Sequence, residues 1–189
     1  MKSGPLLLAA LFSLCAAAGG AAQEKGTAAL SGGGGTEAVR MFEPGAAAPG
    51  FTVKDIGGEI FDFEAEKAKS PYLIVFFSIF CEPCRREMAI VRKLQDKYRD
   101  AGLRVAAVAL DGEPLKYAVA GFAKQEGYAF RVLIDELNAR DSFTVAEVYG
   151  ISAIPSTIVV ERGGRIAFGG TGLVKEEELE KTVRSVLKP

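Results

Sequence analysis

Mostly apolar runs of strand length alternate with charged, helix-forming segments along the middle of the chain. The runs at residues 72–77, 103–110 and 130–134 are typical of strands buried on both faces of a sheet. From Pro83 to Gly102, apolar residues recur every three or four positions, which predicts an amphipathic helix that begins at a proline and ends at a glycine. A second helix is predicted from residue 113 or 114 to about 126. This alternation of strands and helices predicts a parallel α/β unit.

Shorter elements are predicted on either side of that unit. Residues 51–54 and 59–63 alternate apolar and polar positions about an Asp-Ile-Gly-Gly turn, which predicts a β-hairpin. A short helix at residues 144–149 precedes a strand that starts at Pro155, and a Gly-Gly turn leads from this strand into another at residues 165–168. A helix at residues 175–187 closes the domain, since its acidic residues lie early and its basic residues late, as the helix dipole favours.

The first 40 residues have a different composition from the rest. After Lys2, residues 6–18 form an apolar run that is too short and too rich in small residues to span a membrane comfortably. Small residues at Gly20 and Ala22 suit cleavage by a signal peptidase. We therefore predict a signal peptide at residues 1–22, a flexible Gly/Ala-rich linker at residues 23–40 and a folded domain at residues 41–189.

An alternative for the N-terminus is a lipid anchor at Cys15. Bacterial lipoproteins are cut just before a cysteine that becomes lipidated, but the residue before that cysteine is normally small and here is Leu14. In either case the protein is expected to be exported, to the periplasm or another extracytoplasmic compartment. The formal net charge of −1 shows no basic excess, so no nucleic-acid partner is expected.

Cys81 and Cys84 form a Cys-x-x-Cys pair where the apolar run at residues 72–77 gives way to the helix that starts at Pro83. The first turn of a helix offers unpaired backbone N–H groups and the positive end of the helix dipole, which stabilise a thiolate. Cys81 is thus the candidate nucleophile. Cys84 can then close a disulfide with Cys81 and release whatever Cys81 has captured.

Structural roles for the pair are weaker explanations. A disulfide between residues three apart closes almost no loop and constrains the unfolded chain very little. A structural zinc site needs about four Cys or His ligands, whereas the chain has three cysteines and no histidine. Haem attachment requires a histidine directly after the second cysteine, and that residue is Arg85. Thiol redox chemistry is therefore predicted, with the Cys81–Cys84 disulfide as the redox group and no cofactor or metal.

The order of these elements, with Cys-Glu-Pro-Cys at residues 81–84 and Ile-Pro-Ser-Thr at residues 154–157, resembles the TlpA/ResA group of extracytoplasmic thioredoxin-like proteins. The resemblance extends from about Met41 to the C-terminus. It implies an α/β, thioredoxin-like fold in which a central mixed sheet is flanked by helices and carries an added N-terminal β-hairpin.

The resemblance also implies several site residues. The proline that matches Pro155 is cis in this family and lies against the disulfide, which makes Ile154 the residue that faces an extended substrate. Phe80 stands directly before the first cysteine, where Trp is usual, and is a further substrate-binding candidate. Glu87 matches a carboxylate beside the active site and is a candidate proton carrier. Its alternative is a solvated helix residue paired with Arg85, Arg86 or Lys93.

The function that the resemblance implies is reduction of protein disulfides, notably in apocytochrome c before haem attachment, with re-reduction by a membrane thiol-transfer protein. Arg85, Arg86 and the helix terminus favour the Cys81 thiolate, whereas Glu82 and Glu87 oppose it, which we interpret as a weak bias towards the reductant side.

Two other functions are compatible with the sequence. A peroxiredoxin-like peroxidase is suggested by Ser78, three residues before Cys81, but Ile74 stands where such sites carry proline. A non-catalytic, tethered peptide-binding module would use the groove at Ile154 and Pro155, with the cysteines serving only as structure.

Overall fold

The computed structural model describes residues 43–188, which fold around one mixed β-sheet. The strands are β1 (Thr52–Asp55), β2 (Ile60–Asp62), β3 (Tyr72–Phe77), β4 (Arg104–Ala109), β5 (Arg131–Ile134), β6 (Ser156–Val160) and β7 (Ile166–Thr171). The helices are α1 (Phe63–Lys67), α2 (Glu82–Tyr98), α3 (Lys116–Gln125, preceded by a 3₁₀ turn at Glu113–Leu115), α4 (Thr144–Val148) and α5 (Glu176–Val186). The predicted signal peptide and linker lie outside the described residues.

The seven-stranded sheet has the strand order β2-β1-β5-β4-β3-β6-β7. β3, β4 and β5 are parallel to one another, and the remaining neighbours are antiparallel. The predicted parallel unit, the N-terminal hairpin and the β6–β7 pair are thus all confirmed. Within residues 43–188, no helix combines the length and the apolar character needed to cross a membrane.

β3 is an interior strand of the sheet, and both of its faces are covered. Leu73, Val75 and Phe77 pack into a core with α2, α3 and α5, while the side chains between them pack into a second core with α1 and α4. All six residues of β3 are buried. This two-sided burial is the physical reason for the continuous apolar run that the sequence shows at residues 72–77.

One short helix departs from the prediction. The sequence pattern predicts that Phe63 ends the second hairpin strand, but Phe63 begins α1, where the Asp62 carboxylate caps the helix by accepting the N–H of Ala65 at 3.3 Å. The Phe63 side chain is fully buried beside Phe51 and Tyr72. A buried aromatic at this position fits the strand pattern as well as the helix, so the apolar pattern alone does not distinguish them.

We expect Ile74→Ala to lower the free energy of unfolding by about 3 kcal/mol, because it removes a fully buried side chain from β3 and leaves a cavity. Urea unfolding followed by circular dichroism measures this loss. Ile60→Ala on edge strand β2 is the matched control, since Ile60 is 71% exposed and its truncation should cost less than about 1 kcal/mol. Equal losses in the two variants would contradict the assigned core.

Candidate active site

Cys81 lies between strand β3 and α2, which is the longest helix within residues 43–188. Its backbone is extended (φ −93°, ψ 106°), and it is the N-cap residue of α2, with Pro83 in the first turn. The Cys81 sulfur accepts the backbone N–H of Cys84 at 3.2 Å. The sulfur therefore occupies the place of a capping oxygen, at the positive end of the helix dipole, where a thiolate is stabilised.

Cys81 and Cys84 are joined by a disulfide, with their Cα atoms 5.2 Å apart. The two sulfurs differ in access, since Cys81 is partly exposed whereas Cys84 is fully buried. A partner molecule can thus approach the Cys81 sulfur, while Cys84 is placed to act from within the protein. This asymmetry supports the predicted roles of Cys81 as nucleophile and Cys84 as resolving thiol.

The Ile154–Pro155 peptide bond is cis, as the family resemblance implies. Ser156, the next residue, pairs with Phe76 of β3, so Pro155 lies at the same end of β3 from which the chain continues to Cys81. The Ser156 hydroxyl donates to the Ala153 carbonyl at 2.7 Å, and the Pro155 carbonyl accepts from the Gly172 N–H at 2.8 Å. These bonds hold the turn before β6 in place next to the disulfide end of the sheet.

Glu87 is fully buried between α2 and the sheet. Its carboxylate accepts the Thr157 hydroxyl at 2.9 Å and the backbone N–H of Val174 at 3.1 Å. Burial raises the pKa of Glu87 above its usual 4.5, and the two hydrogen bonds offset part of that rise. An acid held in this way can change its protonation closer to neutral pH than an exposed glutamate can.

The alternative of a solvated Glu87 is wrong. Arg85 instead lies 4.0 Å from Glu126 and stacks over the Phe122 ring, and Lys93 pairs with Glu176 at 3.1 Å. The favourable contacts of Glu87 are with Thr157 of β6 and with the loop before α5, neither of which is close to it in sequence.

Phe80 is 74% exposed, directly before Cys81. Ile154 is half-buried and packs against the cores on both faces of the sheet. An exposed aromatic ring and a partly exposed Ile154 next to a cis proline leave apolar surface for a substrate at this end of the sheet. Their roles in substrate binding remain predictions.

The pair formed by Ser78 and Asp111 was not predicted from the sequence. The Ser78 hydroxyl donates to the Asp111 carboxylate at 2.7 Å, and the N–H of Ile79 donates to the other carboxylate oxygen at 3.3 Å. Asp111 follows β4 closely and Ser78 follows β3 directly. Since the carboxyl ends of adjacent parallel strands meet at one edge of the sheet, a polar residue after each strand was the available signal.

Residues 43–187 match the family model described as Redoxin. This chain belongs to the Redoxin family. The match covers the sheet, its helices and both cysteines of the pair, so membership concerns the whole of the described domain.

Curated relatives define the type of chemistry more narrowly. The chain is 30% identical over 145 residues to the thiol-disulfide oxidoreductase ResA of Halalkalibacterium halodurans, covering 77% of each sequence. It is 29% identical over 144 residues to ResA of Bacillus thuringiensis subsp. konkukian, covering 76% of this chain and 79% of that one. With its Cys81–Cys84 disulfide, this Redoxin-family chain is a thiol-disulfide oxidoreductase of the ResA type.

Solved structures give the same fold. A thioredoxin-like protein from Porphyromonas gingivalis aligns with a TM-score of 0.61 at 29% identity, covering 74% of this chain and 91% of that one. A thiol:disulfide interchange protein of the thioredoxin family from Chlorobium tepidum aligns with a TM-score of 0.64 at 21% identity, covering 78% and 99%. The predicted thioredoxin-like fold is therefore confirmed.

Replacing Glu87 with glutamine should change how stability depends on pH. Burial raises the pKa of Glu87 in the folded state, so the ionised form is disfavoured by folding, and the contribution of Glu87 to wild-type stability falls as pH rises above 4.5. A glutamine side chain cannot ionise, yet its amide can donate to the Thr157 hydroxyl and accept from the Val174 N–H. The difference in unfolding free energy, variant minus wild type, should therefore become more positive between about pH 4 and pH 8.

Urea unfolding at a series of pH values measures this difference. Glu59→Gln is the matched control, because Glu59 is exposed on the hairpin and its replacement should give a nearly constant difference. A constant difference for the Glu87 variant as well would show that folding does not disfavour ionisation of Glu87.

Proposed function

We propose that this protein is an exported reductase of protein disulfides that uses Cys81 and Cys84 as its redox group, without a cofactor or metal. The observation that carries the proposal is the position of the disulfide at the start of α2, at the same end of the sheet as the cis Ile154–Pro155 bond. A reactive sulfur and a fixed backbone turn are thus available to one extended peptide. The name of the ResA relatives supports the chemistry.

The reaction begins with the reduced protein. The Cys81 thiolate attacks one sulfur of the substrate disulfide, and the substrate's own S–S bond breaks as a Cys81–substrate disulfide forms. The departing substrate thiolate takes a proton. The Cys84 thiolate then attacks the Cys81 sulfur and releases the second substrate thiolate, which is protonated in turn. The substrate gains two electrons and two protons, and the protein is left with the Cys81–Cys84 disulfide.

Glu87 is proposed to accept the proton that Cys84 loses before it attacks. Glu87 follows Cys84 by three residues in α2, so both project from the same face of the helix, and both are fully buried. A buried thiol has little access to water as a proton acceptor. A carboxylate whose pKa is raised by burial is better matched to a thiol than an exposed glutamate is.

Two features favour reduction of substrate disulfides over oxidation of substrate thiols. The exposed Glu82 between the cysteines adds a negative charge at the helix start, which opposes the Cys81 thiolate. The Arg85 guanidinium, which was expected to stabilise the thiolate, is shared with Glu126 and the Phe122 ring. A less stabilised thiolate makes the disulfide form more favourable and the dithiol a better reductant.

The setting follows from the predicted export segment and from the family resemblance. We propose a periplasmic or other extracytoplasmic location, with a cleaved signal peptide or a lipid anchor at Cys15. The proposed substrates are proteins with disulfides, with apocytochrome c as the candidate, and the proposed electron donor is a membrane thiol-transfer protein.

Cys84→Ser should trap substrates. The serine cannot resolve the mixed disulfide, so proteins attacked by Cys81 should remain attached and be released by dithiothreitol. Non-reducing gels and mass spectrometry of the purified variant, isolated from its native compartment, measure the adducts. Cys81→Ser is the matched control and should give no adduct, since Cys84, the remaining thiol within residues 43–188, is buried.

Three outcomes separate the alternatives. Adducts with Cys81→Ser but not with Cys84→Ser would reverse the assigned roles. Full function of both serine variants would favour the peptide-binding module. Rapid peroxide consumption by the wild type, without reduction of protein disulfides, would favour the peroxidase.

A further inference from the structure

The three residues that connect β3 to Cys81 are held by the side chain of Asp111, which lies in the turn after β4. The Asp111 carboxylate accepts the Ser78 hydroxyl at 2.7 Å and the Ile79 N–H at 3.3 Å. The same Ser78 oxygen accepts the Phe80 N–H at 3.2 Å, and the Ser78 carbonyl accepts the Cys81 N–H at 3.1 Å. One carboxylate therefore fixes a hydrogen-bonded chain that ends at the nucleophilic residue.

The Ser78–Phe80 segment follows β3, and Asp111 follows β4. Both are held rigidly because these two strands are paired up to their last residues. Phe77 pairs with Ala109 in the parallel β3–β4 register, and the Leu110 N–H donates to the Phe77 carbonyl at 2.8 Å. Asp111 is thus anchored one residue beyond the last pairing bond. It is well placed to orient the exposed Phe80 ring and the Cys81 sulfur together.

Asp111 also brings a negative charge to this end of the sheet. Ile79 and Cys81 are two Cα steps of about 3.8 Å apart, so the 3.3 Å bond to the Ile79 N–H places the carboxylate within roughly 12 Å of the Cys81 Cα. The Debye length at physiological salt is about 8 Å, so the interaction of this charge with the Cys81 thiolate is partly screened. Among residues 43–188, no cation lies within ion-pair distance of Asp111. Other charged side chains near this end of the sheet are Glu82, Arg85 and Arg86 on α2, the buried Glu87, and Glu113 and Lys116, which pair with each other. The buried Asp135 follows the neighbouring strand β5; its N–H donates to the Ala109 carbonyl at 3.0 Å, and its carboxylate accepts the N–H groups of Val145 and Ala146 in α4.

We propose that Asp111 is a positioning residue with two effects: it fixes the Ser78–Phe80 segment for attack on protein substrates, and its charge disfavours the Cys81 thiolate and so keeps the couple reducing. The proposal rests on the proposed dithiol function. It adds a determinant of reactivity that lies outside the Cys-Glu-Pro-Cys segment, in the turn after β4.

Asp111→Asn isolates the charge. The amide can accept the Ile79 N–H through its oxygen and donate to the Ser78 oxygen through its nitrogen, so both contacts persist without the negative charge. We expect the ratio of dithiol to disulfide at a fixed glutathione ratio to rise about threefold, as loss of one partly screened charge at this distance allows. The pH at which alkylation of Cys81 by iodoacetamide reaches half its maximum rate should fall in parallel.

Asp111→Ala removes the contacts as well as the charge. The kcat/KM for reduction of insulin disulfides should fall about tenfold, as expected when a misplaced nucleophile loses orientation. The Asn variant should restore at least half of the wild-type value. Thermal unfolding of each variant checks that it is folded.

Asp96→Asn is the matched control for the charge. Asp96 is exposed on α2, and a helix rises about 1.5 Å per residue, so it lies on the order of 20 Å along the helix from Cys81. It should leave both the glutathione equilibrium and the alkylation profile unchanged.

The outcomes distinguish this inference from the proposed function. If the wild-type cysteines fail to equilibrate with glutathione, the proposed function and this inference both fall. If the wild type equilibrates but Asp111→Asn matches it and the Asp96 control, the electrostatic effect is refuted alone. An Ala variant that reduces insulin as fast as the wild type would refute the positioning effect.

Discussion

The buried Glu87 carboxylate connects the parts of the molecule that must be held together for thiol exchange. It belongs to α2, which begins at the disulfide, and it accepts hydrogen bonds from Thr157, two residues after the cis proline, and from Val174, in the loop before α5. A buried carboxylate without partners would cost several kcal/mol, so these two donors are required rather than incidental. Through them, the disulfide and Pro155 are held in fixed relative positions.

Charged groups of opposite effect lie around Cys81, and in the proposed function their balance sets the direction of electron transfer. The start of α2 and the Cys84 N–H stabilise the thiolate, whereas Glu82 and Asp111 oppose it. Because burial raises the pKa of Glu87, this residue has a larger protonated fraction at any given pH and repels the thiolate less than its sequence position suggests. The proposed bias towards the reductant side therefore rests on exposed or half-exposed acids more than on Glu87.

Sequence patterns predict the strands and helices in which buried residues recur with a regular spacing. The run at residues 72–77 identifies a central strand because both faces of β3 are covered, and the Cys pair lies at the helix start where Pro83 indicated it. The patterns fail for α1, since the apolar residue at its start fits either kind of element. They also fail for the environment of Glu87, because a glutamate in a charged helix looks like a surface residue until its distant donors are known.

Asp111 shows the same limit at the active site. Its position after a buried strand indicates only that it lies at the carboxyl edge of the sheet. Its contacts with Ser78 and Ile79 join residues more than 30 positions apart, and they depend on the register of β3 against β4. Register between two uniformly apolar strands is not specified by the apolar pattern, since neither face is distinguished by polar positions.

The most direct test of this account is the reduction potential of the Cys81–Cys84 couple, measured by equilibration with glutathione or dithiothreitol and quantified by alkylation and mass spectrometry. We predict a reversible two-electron couple with a potential nearer to about −270 mV, as in thioredoxin, than to about −120 mV, as in the strong oxidant DsbA. A potential near −120 mV would contradict it, because the protein would then oxidise thiols rather than reduce disulfides.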